Sequence, residues 1–159
     1  MQLAPQINII RSIHRQDDSY VSKINEIYGE LCGVEMYYPD FQKWFFYKVL
    51  PDIATKRRAI ISEVRNDRIV GLSILKLSEE EKKLSTLKVS NDHINSGIGL
   101  KLFQKSFEIL DTEKPFLTVS EEKLIEFSKV FDYYGFKLTS VHESLYRKGE
   151  KEFFYNERN

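Results

Sequence analysis

The chain contains 159 residues, of which 24 are basic and 24 are acidic, so its formal net charge is zero. This balance argues against strong, nonspecific nucleic-acid binding, which needs an excess of basic side chains. Hydrophobic residues make up 42% of the chain and aromatic residues 13%, which is typical of a globular protein and excludes a disordered one. The length predicts a single domain over residues 1–159.

Cysteine and histidine are sparse in this sequence. One cysteine, Cys32, cannot form an intramolecular disulfide, and three histidines lie far apart in the chain, so no metal site is expected. Residues 1–6 lack the basic and apolar regions of a signal peptide, and no apolar run has the length needed to span a membrane. We therefore expect a cytoplasmic protein that holds no metal and does not enter a membrane.

The spacing of apolar residues predicts the elements in chain order. They are a strand at 7–13, helices at 19–31 and 40–50, strands at 59–64, 69–77 and 84–89, a helix at 99–111, a strand at 115–119, a helix at 120–134, and strands at 136–147 and 152–155. Pro51 is expected to interrupt or end the second helix. The order β-α-α-β-β-β-α-β-α-β-β predicts an α+β fold with one mixed, mostly antiparallel sheet of about seven strands, flanked by about four helices.

A loop with two glycines precedes the predicted helix at 99–111. Such a loop presents free backbone N–H groups and the positive end of a helix dipole to an anion, and glycine lets the backbone approach closely. Leu100 rather than lysine follows Gly99, which excludes a P-loop, and a third glycine is missing for the dinucleotide fingerprint. The loop predicts a phosphate or pyrophosphate site. A plain turn in an unrelated α+β domain stays open as the alternative.

Two segments together resemble the GNAT superfamily of acyl-CoA-dependent N-acyltransferases. Gly97 and Gly99 stand as in the family's loop motif Arg/Gln-x-x-Gly-x-Gly/Ala, and Val89 stands where the preceding strand typically ends in valine. Phe131 to Phe136 is similar to the family's helix-ending pattern of an aromatic pair, variable residues and Gly-Phe. A strand and a helix separate the two segments, as in the family, and the resemblance covers about residues 7–155.

The resemblance implies acetyl-CoA as co-substrate and direct attack of an amine on its thioester in a ternary complex. Two residues depart from the family pattern. The arginine or glutamine of the loop is replaced by Ile94, which leaves anion contacts to the backbone, and the tyrosine that protonates the CoA thiolate is replaced by Phe131. The residues expected to contact the cofactor are Leu87, Lys88, Val89, Ile94, Asn95, Ser96, Gly97, Ile98, Gly99, Leu100 and Phe131.

Candidates for the chemistry are few. By resemblance, a backbone N–H near Val89 stabilises the developing oxyanion. Glu63 on a predicted strand is a candidate base, because burial would raise its pKa, and Ser128 could approach the thiol. Further candidate bases are Glu35 and His142. Each of these side chains could equally be structural.

The predicted acceptor pocket rests on Tyr37 and Tyr38, which lie in the loop before Pro39. The resemblance places the acceptor pocket here, where aromatic rings suit a cationic amine. It implies a small-molecule or protein amine as the acceptor, with aminoacyl-tRNA left open. The chain is expected to be a monomer or a homodimer, since exposed C-terminal strands could pair. The alternative function is a catalytically degenerate acyl-CoA-binding or protein-interaction module, which Ile94 and Phe131 favour.

Overall fold

The computed structural model describes residues 6–10 and 20–158, with side chains from residue 21 onward. In chain order, the elements are β1 (Gln6–Ile10), α1 (Tyr20–Leu31), α2 (Phe41–Trp44), α3 (Leu50–Ala54), β2 (Arg58–Arg65), β3 (Arg68–Leu77), β4 (Lys82–Val89), α4 (Ile98–Leu110), β5 (Leu117–Ser120), α5 (Glu121–Tyr134), β6 (Leu138–Glu143) and β7 (Lys151–Tyr155). A 3-10 turn, Cys32–Met36, follows α1, and another, Asn91–His93, precedes α4. The predicted α+β class and the order of its elements are confirmed.

The strands form two sheets, so the prediction of one sheet of about seven strands is wrong. Within the described part of the chain, one sheet has four strands in the order β1-β2-β3-β4, and the other has three in the order β5-β7-β6. Every pairing inside the two sheets is antiparallel. The sheets meet at a single parallel bridge between Lys83 and Phe116, because β4 and β5 pair only at their amino ends.

The second predicted helix runs past Pro51 instead of stopping before it. A π-helical turn, Phe45–Val49, joins α2 to α3, and Pro51 lies in the first turn of α3. Proline removes an N–H donor and crowds the preceding turn. The wider π turn, in which the Leu50 N–H donates to the Phe45 carbonyl, accommodates that ring. The proline therefore interrupts the α geometry while the chain stays helical to Ala54.

Two predicted strands differ from the observed strands in their boundaries. The strand predicted at 136–147 ends as β6 at Glu143, because Ser144 has a left-handed φ of 61° and its N–H donates to the Glu150 carbonyl at 2.9 Å. The first strand is observed as Gln6–Ile10. Residues 11–13 of that prediction, and residue 19 of the first predicted helix, lie outside the described residues.

Both faces of the four-stranded sheet are covered by helices. Ile60 belongs to a core cluster with α1, α2 and α3, whereas its neighbour Ile61 belongs to a cluster with α4 and α5. Successive side chains of a strand point to opposite faces, so these clusters lie on the two sides of the sheet. Because both sides are covered, β2 and β3 are buried along most of their length.

Helix α4 packs directly on the backbone of β3. A Cβ atom at Gly71 would lie 2.7 Å from Ile98 Cγ2 and 3.0 Å from Leu102 Cδ1, which is closer than real Cβ atoms approach their neighbours. The absence of a side chain at Gly71 therefore fixes the first turns of α4 against the sheet. Among the described residues, no helix is both long and apolar enough to cross a membrane.

Candidate active site

The candidate site begins at a gap between the two central parallel strands. The Leu84 N–H donates to the Phe116 carbonyl at 3.0 Å, and the Phe116 N–H donates to the Lys82 carbonyl at 2.9 Å. Beyond this contact β4 and β5 belong to different sheets. Because the strands are parallel, their carboxyl ends, Val89 and Ser120, lie on either side of the same opening.

A bulge in β4 aims backbone N–H groups into this gap. The register of the β3–β4 pair shifts around Ser85, which has no partner of its own on β3, and a bulge redirects the strand that follows it. Beyond it, the Ser90 N–H donates to the Val70 carbonyl at 2.8 Å. Since N–H groups alternate in direction along a strand, those of Leu87 and Val89 point away from β3 and toward the opening.

The glycine loop lies at the carboxyl end of β4 and leads into α4. Gly97 precedes the helix with a left-handed φ of 83°, and Asn95 is also left-handed at 65°. No side chain caps the helix, and no acidic residue lies in its first turn. The N–H groups of Ile98, Gly99 and Leu100 have no partner within the helix, so the start of α4 presents donors and positive dipole charge to an anion.

The side chains of three predicted cofactor residues offer no charge to the loop. Ile94 is 53% exposed and occupies the place of the family's arginine or glutamine, so the loop has no cation there. The Ser96 hydroxyl donates to the His93 carbonyl and thereby holds the loop closed on itself. The ammonium group of Lys88 lies against Gly33, beyond the end of α1, on the sheet face away from α4.

A groove between α4 and α5 extends the loop across the surface. Its volume is about 270 Å³, and it is lined by Leu100, Gln104, Lys129, Val130, Tyr133 and Tyr134. The ring of Tyr133 is 79% exposed. Lys129 supplies a cation beside an aromatic surface, which is a combination that suits a nucleotide with a phosphate.

The second half of the site lies on the opposite face of the sheets, at the predicted acceptor pocket. The Tyr38 hydroxyl donates to Glu152 Oε1 at 2.6 Å, and the Tyr38 ring meets the ring of Tyr146 edge-on at 5.0 Å. Burial raises the pKa of Tyr38 far above its ordinary value, so its hydroxyl keeps its proton. This hydrogen bond joins the loop before α2 to β7, the neighbour of β5 in the three-stranded sheet.

Sequence reasoning missed Glu152, whose carboxyl group is buried. The residue is 4% exposed, and burial raises its pKa, against the lowering effects of hydrogen bonds from Tyr38 and Thr118 and of the charges of Arg147 and Lys83. Glu152 pairs in register with Ser120, the last residue of β5. The one available signal was an acidic residue at the start of an otherwise aromatic strand, Glu152-Phe153-Phe154-Tyr155.

Two cations lie over the ring of Tyr37. Lys123 Nζ lies 5.1 Å from its ring centroid and Arg147 Cζ lies 5.4 Å from it. Arg147 Nη2 donates to both carboxylate oxygens of Glu122, at 3.0 and 2.9 Å. Tyr37 therefore ties the loop before α2 to the start of α5 and to the loop between β6 and β7, and its faces are already occupied by positive charge.

Glu63 lies under α4, on the face away from Tyr38. The carboxyl group is fully buried, with Lys101 Nζ and Arg65 Nη2 each 3.6 Å from Oε1. It shares that face with Ile61, two residues earlier on the same strand. Its predicted role as a base stays a prediction, and the geometry separates it from the predicted acceptor residues by the thickness of the sheet.

The remaining predicted residues fall on α5 and around it. The buried ring of Phe131 packs at 4.8 Å from Tyr155 and 5.4 Å from Phe136, so it belongs to the core, and its contact with the cofactor stays a prediction. The Ser128 hydroxyl donates to the Ile125 carbonyl of its own helix at 3.4 Å. His142 is exposed on β6, where it stacks on Phe154, with ring centroids 4.3 Å apart. Glu35 accepts a hydrogen bond from Tyr28.

Comparison with known proteins identifies the fold. No family model matches the sequence, and no curated protein matches it. A GNAT-family protein from Desulfovibrio desulfuricans is 17% identical and superposes with a TM-score of 0.65, over 96% of this chain and 97% of that chain. A Staphylococcus epidermidis protein assigned to the acetyltransferases is 13% identical, with a TM-score of 0.60 and the same coverage.

A third solved structure carries a ligand. The GNAT-family acetyltransferase from Elizabethkingia anophelis, solved with acetyl-CoA bound, is 15% identical, with a TM-score of 0.54 over 68% of this chain and 80% of that chain. These matches agree with the divergence of β4 and β5 and with the glycine loop before α4, and all of them indicate the same fold. The chain has the fold of the GNAT superfamily, and its structural neighbours are named as acetyltransferases.

Proposed function

We propose that this protein is an N-acetyltransferase that moves an acetyl group from acetyl-CoA to an amine. The observation that carries the proposal is the opening between β4 and β5, with the uncapped start of α4 beside it. A pyrophosphate at Gly97 to Leu100 would accept hydrogen bonds from the free N–H groups at the start of the helix. The thioester arm would then enter the gap beside the strand, where the N–H groups of Leu87 and Val89 point.

The loop backbone and the groove between α4 and α5 bind different parts of CoA in this proposal. The cofactor contacts fall on the N–H groups of residues 95–100, since Ile94 brings no charge. We place the adenosine portion in the groove between α4 and α5, where Tyr133 offers an aromatic ring and Lys129 a cation. The carbonyl oxygen of the acetyl group would meet a β4 N–H, which stabilises the negative charge that develops on it.

The amine acceptor enters from the side of Tyr37 and Tyr38. Holding the two substrates together in one gap supplies most of the expected rate, because positioning converts a bimolecular step into an intramolecular one. The acceptor is a small-molecule or protein amine in this proposal. The neutral net charge of the chain counts against aminoacyl-tRNA.

Titration calorimetry with acetyl-CoA, followed by a thiol-release assay with primary amines, tests this function. We expect saturable binding, a rise in melting temperature and amine-dependent release of CoA thiol. The absence of both binding and thermal stabilisation would reject the proposal.

A second candidate function is a CoA-binding module without transfer. It is favoured by Phe131, a residue without a proton to donate that is buried in the core. Binding of acetyl-CoA without thiol release would support that candidate instead.

A further inference from the structure

Glu152 lies next to the strand end that borders the gap proposed to hold the thioester. Its partner in register, Ser120, is the last residue of β5, and the carboxyl end of β5 is one wall of the gap. Lys83 of β4 lies at the closed end of the gap, where it bridges to Phe116, and its charge acts to lower the pKa of Glu152. A buried carboxyl group that accepts a hydrogen bond from the loop before α2 points toward that loop rather than to solvent.

The surroundings of Glu152 suit a protonated amine. A carboxylate can accept several hydrogen bonds, and the contact with the Tyr38 hydroxyl uses one site on Oε1. The rings of Tyr38 and Tyr146 lie together beside it, and aromatic faces attract cations. Tyr37 does not add to this cage, because Lys123 and Arg147 already lie over its ring.

We propose that the carboxylate of Glu152, held by the hydroxyl of Tyr38, receives the ammonium group of the acceptor and takes its proton before attack. The proposal rests on the proposed function and assigns the proton acceptor to β7, a strand in which the sequence predicted no site residue.

The step balances without any further reactant. A protonated amine gives one proton to the Glu152 carboxylate and becomes neutral. Its lone pair then forms the C–N bond to the acetyl carbon while the C–S bond breaks and the electron pair of that bond goes to sulfur. The second proton of the nitrogen goes to the thiolate, which leaves as the CoA thiol. Glu152 returns its proton to water, so each turnover releases one proton.

The charged and titratable groups that face Glu152 decide its pH dependence. They are Tyr38 before α2, Lys83 on β4, Tyr146 and Arg147 in the loop between β6 and β7, and His142, which is the register partner of Glu152 on β6. Burial raises the pKa of Glu152, whereas the Tyr38 hydrogen bond lowers it. Only the ionised carboxylate accepts a proton, so the rate falls as the pH drops through this raised pKa.

The same raised pKa links function to stability. A carboxyl group with a higher pKa in the folded state than in the unfolded state stabilises the fold below the unfolded pKa and loses that contribution as the pH rises through the folded pKa. Where its carboxyl group is ionised, Glu152 therefore lowers the free energy of unfolding, and the neutral amide of glutamine avoids that cost. Glu152→Gln should keep or raise the melting temperature at pH 7 while it removes the proton acceptor.

The experiment compares Glu152→Gln with Tyr38→Phe and with Glu143→Gln, an exposed control at the end of β6. CoA binding is measured by calorimetry, and thiol release from acetyl-CoA is measured with benzylamine, ethanolamine and putrescine between pH 5 and pH 9. We expect all three variants to bind CoA like the wild type. Glu152→Gln should lower kcat/KM by about 100-fold or more and remove the acid limb of the pH profile.

Tyr38→Phe gives a signature that a purely structural role would not produce. Loss of its hydrogen bond removes an effect that lowers the pKa of Glu152, so the acid limb should move to higher pH while the activity at high pH falls by about tenfold. Glu143→Gln should match the wild type throughout.

Two results would overturn the proposal in different ways. If Glu152→Gln keeps both kcat/KM within threefold and the acid limb, the proton goes elsewhere and the proposed function stands. If the wild type binds no acetyl-CoA, or releases no thiol with any of the amines, the proposed transfer reaction and this assignment fall together.

Discussion

Helices α4 and α5 both follow a central strand, but their amino ends are built in opposite ways. Ser120 caps α5, accepting a hydrogen bond from the Lys123 N–H, and Glu121 and Glu122 lie in its first turn. Helix α4 begins at Gly97 with no side-chain cap and no acidic residue. Helix α5 has a cap and acidic residues at its start, whereas the first N–H groups of α4 have no side-chain partner in the helix.

The charge at the start of α5 is reinforced from outside the helix. Arg147 donates to the Glu122 carboxylate, and this hydrogen bond holds the pKa of Glu122 below its ordinary value, so the acid stays ionised near the positive end of the dipole. The difference teaches that a missing cap is informative when its neighbour in the same fold has a full one. Substitutions at either helix start can abolish this contrast or increase it.

The largest effect is expected from Gly97→Val, which blocks the conformation that opens α4. A β-branched residue at a φ of 83° is strained by roughly 1–3 kcal/mol, and relief of that strain would move the N–H groups that the pyrophosphate needs. We expect CoA affinity to fall by about 100-fold or more in calorimetry.

Gly149→Val is the matched control for that variant. Gly149 has a φ of 80°, and, as at Gly97, no atom lies within 4 Å of the position that a Cβ atom would take. It lies in the loop between β6 and β7. The two variants should lose similar stability in thermal unfolding. Equal losses of CoA affinity would mean that strain alone explains the effect and that the glycine loop is not the anion site.

A smaller effect is expected from Leu100→Glu, which makes the start of α4 resemble that of α5. Leu100 is 43% exposed in the first turn, and a carboxylate there stabilises the helix by about 0.3–1 kcal/mol. The same charge repels a bound pyrophosphate, so CoA affinity should fall by roughly 10-fold or more. Leu100→Gln keeps the size without the charge and should bind nearly normally, and an equal loss in both variants would contradict the electrostatic argument.

Removal of the cap on α5 should change stability without changing cofactor binding. Ser120→Ala leaves the Lys123 N–H without its partner and should cost about 1 kcal/mol, which corresponds to a melting temperature lower by about 2–4 °C. CoA affinity should stay within about twofold of the wild type, since the capped helix does not hold the anion. A large loss of CoA binding would show that the two helix starts act on the same ligand.

The smallest effect is expected from Ile94→Arg, which restores the family's cation. Ile94 is 53% exposed, so the new side chain fits in solvent and gains an exposed charge contact of about 0.2–1 kcal/mol. The affinity for CoA should rise by a few-fold at most, and the gain should shrink as salt is added. A loss of affinity would indicate that Ile94 itself packs on the ligand.

The periodic parts of the fold could be predicted from the sequence. Each strand and helix lies close to where its apolar spacing indicated, and Gly135 ends α5 in a left-handed conformation. The π turn before Pro51 could not be predicted, because it depends on how the turn accommodates a ring without a donor. The division into two sheets could not be predicted either, since strand spacing says nothing about which neighbours stop pairing.

The sequence predicted the position of the glycine loop of the candidate site, but it did not predict Glu152. The glycine loop is local, so the order of its residues determines its geometry, and the sequence placed it correctly between strand and helix. Glu152 depends on contacts across the fold, since Tyr38 lies 114 positions away in the chain. An acid on an aromatic strand could equally have faced solvent, and only burial shows otherwise.

The sequence by itself determined the elements, their order and the glycine loop before α4, because those properties arise from neighbours along the chain. Only the tertiary structure decided that β4 and β5 diverge, that Glu63 lies under α4, that Phe131 belongs to the core, and that Glu152 meets Tyr38. Each of these depends on distant segments that pack together, and side-chain burial follows from that packing rather than from residue type.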